Sequence, residues 1–257
     1  MKPVVFIGSS SEAIAAKLVS RFVADLKPAL DCRLWTDDVF NAGDVTIDAL
    51  RRTLTEIDLA VIFLTNDDVA TIRSKQVSIP RDNAVMELGM ALQVLGRDRA
   101  FFVFPLNEPD LQLPSDIDGV TGLGYTNLAS MKQIATSVVG RERELRGPAF
   151  GSWRQLWEVD SSKFKSEPSL ATVLHHKDAF RATWRAAGRT YVARATVLGR
   201  HITGTWYDGR EPSLYSGAFQ LVLEGTGERM TGIWCGFTDE NAFKTGAWTW
   251  DRVKRRG

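Results

Sequence analysis

Cysteine, histidine and net charge are all scarce in this chain of 257 residues. The two cysteines, Cys32 and Cys235, lie far apart beside apolar strand-like residues, which favours buried free thiols over a disulfide or a redox pair. The 32 basic and 31 acidic residues leave a net charge of only +1. Such a balance implies no bulk attraction to nucleic acid or to a membrane surface, and we expect neither as a partner.

Long apolar runs are also missing from the sequence. The opening MKPVVFIGSS contains too short an apolar run for a signal peptide, and no run approaches the roughly 18 residues of a membrane helix. We therefore expect a cytoplasmic protein. With 44% hydrophobic and 25% charged residues, the chain is long enough for two globular domains of roughly 100 to 150 residues each.

Two common site motifs are incomplete. The GSSS run is not a Walker phosphate loop, because the Gly-Lys-Ser/Thr element is missing. Ser9 and Ser10 do stand at a predicted helix N-terminus, which favours anions, although Ser9-x-x-Glu12 also fits a helix-capping box. His175 and His176 have no carboxylate or cysteine cluster beside them, so the sequence predicts a solvated turn there and no metal site.

Short apolar runs alternate with helical patterns over the first part of the chain. Such runs are typical of parallel strands that are covered on both faces. The runs are PVVFIG, CRLW, LAVIFLT, RAFFVFP and GLGY, and the helices are predicted at about 11–30, 44–56, 84–95 and 128–146. This alternation predicts a doubly wound α/β domain over residues 1–148, with a five-stranded sheet in the flavodoxin-like order 2-1-3-4-5.

From about Trp184 the sequence changes to short alternating strands separated by glycines. The fragments TGTW, TGIW and TGAW each place a glycine two residues before a tryptophan, and they predict glycine kinks in neighbouring strands. Alternation at this spacing is typical of an antiparallel β-barrel or sandwich. We therefore predict an all-β domain over residues 149–257, whose tryptophans fill its interior or line a cavity.

A single acid interrupts the apolar helix predicted at 84–95. Glu87 and Gln93 are its only long polar side chains, and the residues that share a helical face with Glu87 offer no cationic partner. Because an unpaired buried charge is costly, the carboxylate either satisfies backbone N–H groups of a loop or projects into a ligand cleft. In open α/β sheets that cleft lies outside the carboxyl ends of the strands.

Four segments resemble a known family. VVFIGSSSEA, LAVIFLTNDD, PRDNAVMELGM and LPSDIDG are similar to the TIR domains of bacterial antiphage effectors of cyclic-nucleotide systems, the group shared by the Pycsar TIR effectors and the CBASS TIR–STING proteins. The resemblance covers about residues 3–125. Its most specific element is P-R-D-N-x-x-x-E-L-G, which here ends with Glu87, Leu88 and Gly89.

The resemblance implies an NAD⁺ glycohydrolase, in which NAD⁺ is the substrate and neither a metal nor a separate cofactor takes part. It places the catalytic glutamate at Glu87, and it gives Arg81 a role in ordering the site or the substrate phosphates. Turn formation or packing explains the other substrate-binding candidates equally well, and these are Ser9, Ser10, Trp35, Phe40, Asp67 and Asp116.

The all-β domain lies outside this resemblance and does not look like the STING sensor. By similarity to the Pycsar effectors, it is expected to sense a cyclic pyrimidine mononucleotide such as cyclic UMP, made by a partner cyclase. Aromatic rings would stack on the base and arginine would hold the phosphate. Packing in the barrel core explains each candidate at least as well, and the candidates are Trp206, Tyr207, Arg210, Tyr215 and Trp234.

The resemblance further implies a switch between two states. Nucleotide binding would promote assembly of a homo-oligomer, which opens NAD⁺ hydrolysis, depletes cellular NAD⁺ and aborts infection. Two alternatives stay open on the sequence alone. One is a non-enzymatic TIR interaction module, and the other is a nucleoside or nucleotide N-glycosidase, such as a nucleoside 2-deoxyribosyltransferase, which uses a similar sheet and a carboxylate.

Overall fold

The chain divides into two compact units, Met1–Glu144 and Leu145–Gly257. The computed structural model describes residues 2–15, 17–34, 46–117, 119–159, 164–237 and 242–253. Each unit contains its own hydrophobic core, so each is described by itself below.

The first unit contains every described helix and one parallel sheet. Its elements in chain order are β1 (Val4–Gly8), α1 (Ser11–Ala15), α2 (Leu18–Leu26), β2 (Asp31–Leu34), α3 (Thr46–Thr55), β3 (Leu59–Phe63), β4 (Asp68–Ile72), β5 (Lys75–Ile79), α4 (Asp82–Leu95), β6 (Ala100–Pro105), β7 (Thr121–Tyr125) and α5 (Ser130–Glu144).

The parallel sheet has the strand order β2-β1-β3-β6-β7. This is the flavodoxin-like order that the alternation of strands and helices predicts, and the prediction is confirmed. Every residue of β1 and of β3 is buried, as is expected of central strands with helices on both faces. The register pairs Gly8, the last residue of β1, with Ile62 of β3.

Two features of the first unit differ from the sequence prediction. The helix predicted at 11–30 is divided into α1 and α2, and Lys17 before α2 has a left-handed backbone with φ of 62°. An unpredicted antiparallel hairpin, β4–β5, lies between β3 and α4. Its turn residues Arg73 and Ser74 both have positive φ, as a two-residue hairpin turn of the primed type requires.

The second unit is a closed antiparallel barrel of eight strands. Its elements are β8 (Gly151–Val159), β9 (Phe164–Lys165), β10 (Ser169–His176), β11 (Ala179–Ala186), β12 (Arg189–Leu198), β13 (His201–Asp208), β14 (Ser216–Leu223), β15 (Arg229–Phe237) and β16 (Phe243–Arg252). Strands β10 to β16 pair in sequence, and β8 pairs with both β10 and β16 to close the ring. The two-residue β9 pairs only with β8.

The sequence left open whether the all-β domain is a barrel or a sandwich, and the closed ring of strands shows that it is a barrel. The prediction that alternation begins near Trp184 missed β8, β10 and most of β11. At the three glycines for which the sequence predicts kinks, Gly204, Gly232 and Gly246, an added Cβ would overlap a backbone carbonyl of the adjacent strand. Glycine is therefore required where these strands approach one another closely.

Both cysteines are free thiols, and both are half-buried rather than fully buried. Burial raises the pKa of Cys32 to about 11, so this thiol stays protonated. Among the described residues, no helix is both long enough and apolar enough to cross a membrane.

Candidate active site

Helix α4 carries Glu87 on the face that packs into the core of the first unit. The helix starts directly after Arg81, and Asp82 in its first turn complements the positive end of the helix dipole. Although its residues are mostly apolar, only part of its surface is buried, since Gly89 and Gln93 are exposed. The buried positions are Ala84, Glu87, Leu88, Ala91 and Leu95.

Glycine at position 8 makes room for the Glu87 carboxyl group. A Cβ built on Gly8 would overlap Glu87 Oε2 and would lie 2.7 Å from Ile62 Cδ1. Because Gly8 ends β1 and Ile62 lies in β3, the carboxyl group lies at the carboxyl ends of the two central strands. This is the position at which open α/β sheets bind their ligands.

The Glu87 side chain is buried in the first unit. The residue is 4% exposed, and Oε2 has no hydrogen-bond partner among the described residues. Burial raises the pKa of Glu87 from 4.5 to about 7, since desolvation disfavours the charged form. A purely structural acid would accept hydrogen bonds from the protein, so the unsatisfied oxygen favours a functional role.

A chain of hydrogen bonds links the segments that follow β1 and β3. The Thr65 hydroxyl donates to Asp67 at 2.7 Å, which leaves the Ser10 hydroxyl, 3.2 Å away, as the donor to Thr65. Ser10 also accepts the N–H of Ala13 at 3.3 Å. Ser10 is therefore the residue that caps α1, and the capping box predicted at Ser9 is wrong.

Arg81 connects three segments around the site. Its guanidinium contacts Glu12 of α1 and Asp68 of β4, both at 3.2 Å, and its carbonyl accepts the first N–H bonds of α4. The carboxylates of Asp68 and Glu12 raise the pKa of Arg81. These contacts fasten α1 and the hairpin to the start of the helix that carries Glu87.

Of the remaining predicted substrate-binding residues, Ser9 and Asp116 lie in the described part of the chain. Ser9 is half-buried in the loop after β1, and Asp116 is exposed on a short 3₁₀ turn, where Ser115 donates to it. No hydrogen bond joins either residue to Glu87 in the described part of the chain. Trp35 and Phe40 lie outside the described residues.

Tyr125 borders the same edge of the sheet, although the sequence did not single it out. It ends β7 and is 8% exposed. Burial, together with the negative charges of Asp67 and Glu108, raises its pKa to about 12. The phenol therefore remains a neutral hydrogen-bond donor near Asp67.

The first unit matches a family model over nearly its whole length. Residues 4–127 match the model described as "CAP12/Pycsar effector protein, TIR domain". Residues 4–127 are a TIR domain of this family. The match includes Gly8, Ser10, Arg81 and Glu87, so the site described above lies entirely within the TIR domain.

Two relatives share this TIR domain. CD-NTase-associated protein 12 from Lachnospiraceae bacterium (strain RUG226) is 36% identical over 147 residues, which cover 57% of this chain and 45% of that protein. The Pycsar effector protein PaPycTIR from Pseudomonas aeruginosa is 35% identical over 114 residues, 44% of this chain and 37% of that protein. The chain thus matches less than half the length of each relative.

The likeness to solved structures is weak. A transferrin binding protein B mutant, Trp-176-Ala, from Haemophilus parasuis Hp5 shares 13% identity over 41% of this chain and 26% of that chain, with a TM-score of 0.30. A TM-score this low supports no conclusion about the barrel that follows the TIR domain.

The barrel does not bring the five predicted nucleotide-binding residues into one place. Trp206 and Trp234 point inwards, with ring centroids 5.8 Å apart. Tyr207 alternates to the outer face, where Arg194 donates to its hydroxyl. Arg210 is exposed in the loop after β13, and Tyr215 packs beneath the Arg189 guanidinium.

The adjacent histidines are buried, and the prediction of a solvated turn is wrong. His175 is 2% exposed and His176 is 1% exposed. His175 Nδ1 accepts the Ala149 N–H, while Nε2 donates to the Lys177 carbonyl at 2.7 Å. Among the described residues, no cluster of His, Cys, Asp or Glu is placed to hold a metal ion.

Two residues of the TIR domain site were missed by the sequence reasoning. Gly8 was treated only as part of a loop, and Thr65 as the end of a strand. The sequence signal that could have found them is their position, since Gly8 ends β1 and Thr65 follows β3, both at the carboxyl ends of the central strands. Their specific roles depend on contacts with Glu87 and Ser10, which no local pattern encodes.

Proposed function

We propose that the TIR domain is an NAD⁺ glycohydrolase and that Glu87 is its catalytic carboxylate. The observation that carries this proposal is the buried Glu87 carboxyl group over Gly8, at the carboxyl ends of β1 and β3, whose Oε2 has no hydrogen-bond partner among the described residues. A low-dielectric surround strengthens the interaction of a carboxylate with a developing positive charge.

The proposed reaction breaks the bond between ribose C1′ and the pyridinium nitrogen. The bonding electron pair leaves with the nitrogen, so nicotinamide departs as a neutral molecule and the ribose acquires oxocarbenium character. The Glu87 carboxylate stabilises this cation and accepts hydrogen bonds from the ribose hydroxyls. The oxygen of a water molecule then bonds to C1′, and one proton is released with ADP-ribose.

The neighbouring residues position the reacting groups in this proposal. The hydroxyl chain from Ser10 through Thr65 to Asp67 fixes the two strand-end loops, and Arg81 fastens α1 and the hairpin to α4. We assign Ser9 and Asp116 to substrate binding only as secondary candidates.

We further propose an effector role in antiphage defence. The names of the two relatives refer to a CD-NTase association and to a Pycsar effector, which supports activation by a cyclic nucleotide from a partner cyclase. Cyclic UMP is the first candidate. In this proposal, nucleotide binding to the barrel promotes self-association of TIR domains in the cytoplasm, and NAD⁺ depletion follows.

Nicotinamide release by the purified full chain tests the catalytic assignment. We expect Glu87→Gln to reduce the rate at least about 100-fold, since it keeps the shape of the side chain and removes its charge. Glu144→Gln is the matched control, because that side chain is 66% exposed in α5. An unaltered rate in Glu87→Gln would remove the catalytic assignment, and loss of NAD⁺ from neither protein would favour an interaction module.

Gly8 provides a second arm of the same test. Gly8→Ala is expected to lower the rate at least about tenfold, because the added methyl group displaces the Glu87 carboxyl group. Gly89→Ala on α4 is its control, since nothing lies within 4 Å of the added carbon.

Incubation with a panel of nucleosides and nucleotides, assayed for free base, identifies an N-glycosidase of another specificity.

A further inference from the structure

The outer surface of the barrel is uncharged across four neighbouring strands. Along β13 to β16, outward side chains alternate with the residues that form the core, such as Trp206 and Phe219. We call these outward residues the neutral face, and they are Thr203, Thr205, Tyr207, Ser216, Ala218, Gln220, Val222, Thr231, Ile233, Cys235, Phe237, Phe243, Thr245, Ala247 and Thr249. None of these described side chains is acidic or basic, although 25% of the chain is charged.

Charged side chains begin at the borders of the neutral face. At one corner, Arg229 of β15 pairs with Asp251 of β16 at 2.7 Å. On the neighbouring strands β11 and β12, the outward positions include Arg181, Arg185 and Arg194. The lack of charge is therefore a local property of β13 to β16 and does not extend around the barrel.

The neutral face is open to solvent and partly apolar. Ile233 at its centre is 63% exposed, and the register places it between Gln220 and Ala247. At one end, Phe237 and Phe243 are 46% and 61% exposed, and their rings meet edge to face with centroids 5.6 Å apart. Exposed apolar side chains gathered on one uncharged surface are typical of a protein interface.

Another chain can contact these strands only through their side chains. Each of the strands β13 to β16 pairs with a neighbour on both sides. Their backbone N–H and C=O groups are thus used within the barrel, and no open edge is left for an added strand. A partner must therefore pack face to face, as two sheets do at a separation of about 10 Å.

The absence of charge favours a second copy of the same face as the partner. When a surface meets its own copy across a two-fold axis, each charge on it approaches like charges, which is unfavourable. An uncharged face meets its copy without this cost. A strongly charged partner, by contrast, would lose hydration of its charges and gain no opposite charge in return.

The extent of the neutral face fits a weak dimer. One outward residue of a sheet covers about 33 Å², because strands lie about 4.8 Å apart and outward residues recur every 6.8 Å or so. The neutral face therefore spans roughly 500 Å² on each copy, or about 1,000 Å² on two copies. This value is near the lower limit for a specific interface, so we expect reversible association in the micromolar range.

We infer that the neutral face joins two copies of the chain into a two-fold symmetric dimer. Ile233, on one of the two middle strands, lies near the axis and packs against its counterpart in the second copy. The dimer forms without a nucleotide. It is therefore distinct from the assembly that the proposed function ascribes to activation.

Sedimentation velocity of the full chain without nucleotide tests the dimer. Over roughly a hundredfold range of protein concentration, the sedimentation coefficient is expected to rise as the dimer forms. Ile233→Glu brings two like charges together near the axis and is expected to raise the dissociation constant at least about tenfold. Leu170→Glu is the matched control, because Leu170 is 64% exposed on β10, outside the neutral face.

A charge exchange distinguishes a second copy from any other partner. Ile233→Lys alone is expected to weaken association as Ile233→Glu does. An equimolar mixture of the two variants is expected to dimerise again, since opposite charges then meet near the axis. A mixture that stays monomeric contradicts the two-fold arrangement.

Salt provides a further readout. Raising the salt concentration is expected to leave the wild-type dimer intact, because no ion pair crosses the neutral face. A dimer that dissociates at high salt assigns association to a charged surface and overturns the inference. A wild-type chain that is monomeric at every concentration overturns it, as does unchanged association in Ile233→Glu.

Dimerisation and nicotinamide release are separate readouts. A wild-type chain that dimerises through the neutral face but releases no nicotinamide contradicts the glycohydrolase alone. A chain that releases nicotinamide and associates equally well in the wild type and in Ile233→Glu contradicts the neutral-face dimer alone.

Discussion

At the scale of single residues, Glu87 links chemistry to stability. Its pKa is raised from 4.5 to about 7 by burial, so the native protein binds a proton at this position more tightly than the unfolded chain does. As the pH rises from about 4.5 through 7, the native state must therefore carry an increasingly unfavourable buried charge. The free energy of unfolding falls correspondingly, and above pH 7 the full cost is present.

Glu87→Gln removes this cost and is expected to stabilise the first unit in a pH-dependent way. A difference of about 2.5 pKa units corresponds to about 3 kcal/mol above pH 7 and to little at pH 5. Urea denaturation at pH 5 and at pH 8.5, followed by amide hydrogen exchange in α4, measures the gain in the free energy of unfolding. A gain of equal size at pH 5 and pH 8.5 would contradict the ionisation argument.

The same residue shows what a sequence discloses about a site. The sequence singles out Glu87 because it is an acid on an otherwise apolar helix. Such a helix can be recognised from the sequence alone, since hydrophobic periodicity is a local property. Gly8 and Thr65 could not be assigned in this way, since a glycine after a strand is common and its meaning comes from one oxygen of another element. Residue type alone does not fix the direction of a side chain, and Tyr207 lies on the outer face of β13, where Arg194 donates to its hydroxyl.

At the scale of elements, the central strands were predictable and the hairpin was not. β1 and β3 are continuous apolar runs, which only a covered parallel sheet accommodates. Hairpin β4–β5 mixes polar and apolar residues and lies largely at the surface, and Ser78 secures it through backbone bonds with Asp110 and Gln112. Those partners are more than thirty residues away, so no pattern within the hairpin reveals them.

The segment that precedes β8 is fastened to the barrel through His175. Gly147 N–H donates to the His175 carbonyl at 2.8 Å, and the Lys177 N–H donates to the Leu145 carbonyl at 3.0 Å. His175 Nδ1 accepts the Ala149 N–H, which requires the neutral ring. Burial lowers the pKa of His175, so the unfolded chain binds a proton here more readily than the native barrel does.

We therefore expect the barrel to lose stability as the pH falls below about 6.5, with a slope of at most about 1.4 kcal/mol per pH unit for one proton. His175→Asn places an amide oxygen near the Ala149 N–H without titrating, and it is expected to flatten this slope. Amide exchange in β10 under urea measures the slope, with the exposed His201→Asn as control. An identical slope in both variants would exclude His175 as its source.

At the scale of the whole molecule, the chain joins a TIR domain to a barrel that the family model does not include. If the proposed switch operates through self-association, nicotinamide release per mole of protein rises with protein concentration, because assembly follows mass action. The measurement spans roughly a hundredfold range of concentration, with and without cyclic UMP. Activity strictly proportional to protein amount, with no response to any cyclic nucleotide, would contradict the switch.

The distribution of tryptophan between the two units has an optical consequence. Seven of the eight tryptophans, all except Trp35, lie in Leu145–Gly257, whereas every described helix lies in Met1–Glu144. Indole emission therefore reports almost entirely on the barrel, and circular dichroism at the helical bands reports on the TIR domain. In a single unlabelled sample, the two signals therefore follow the unfolding of the two units separately. The order in which the units unfold can be observed directly.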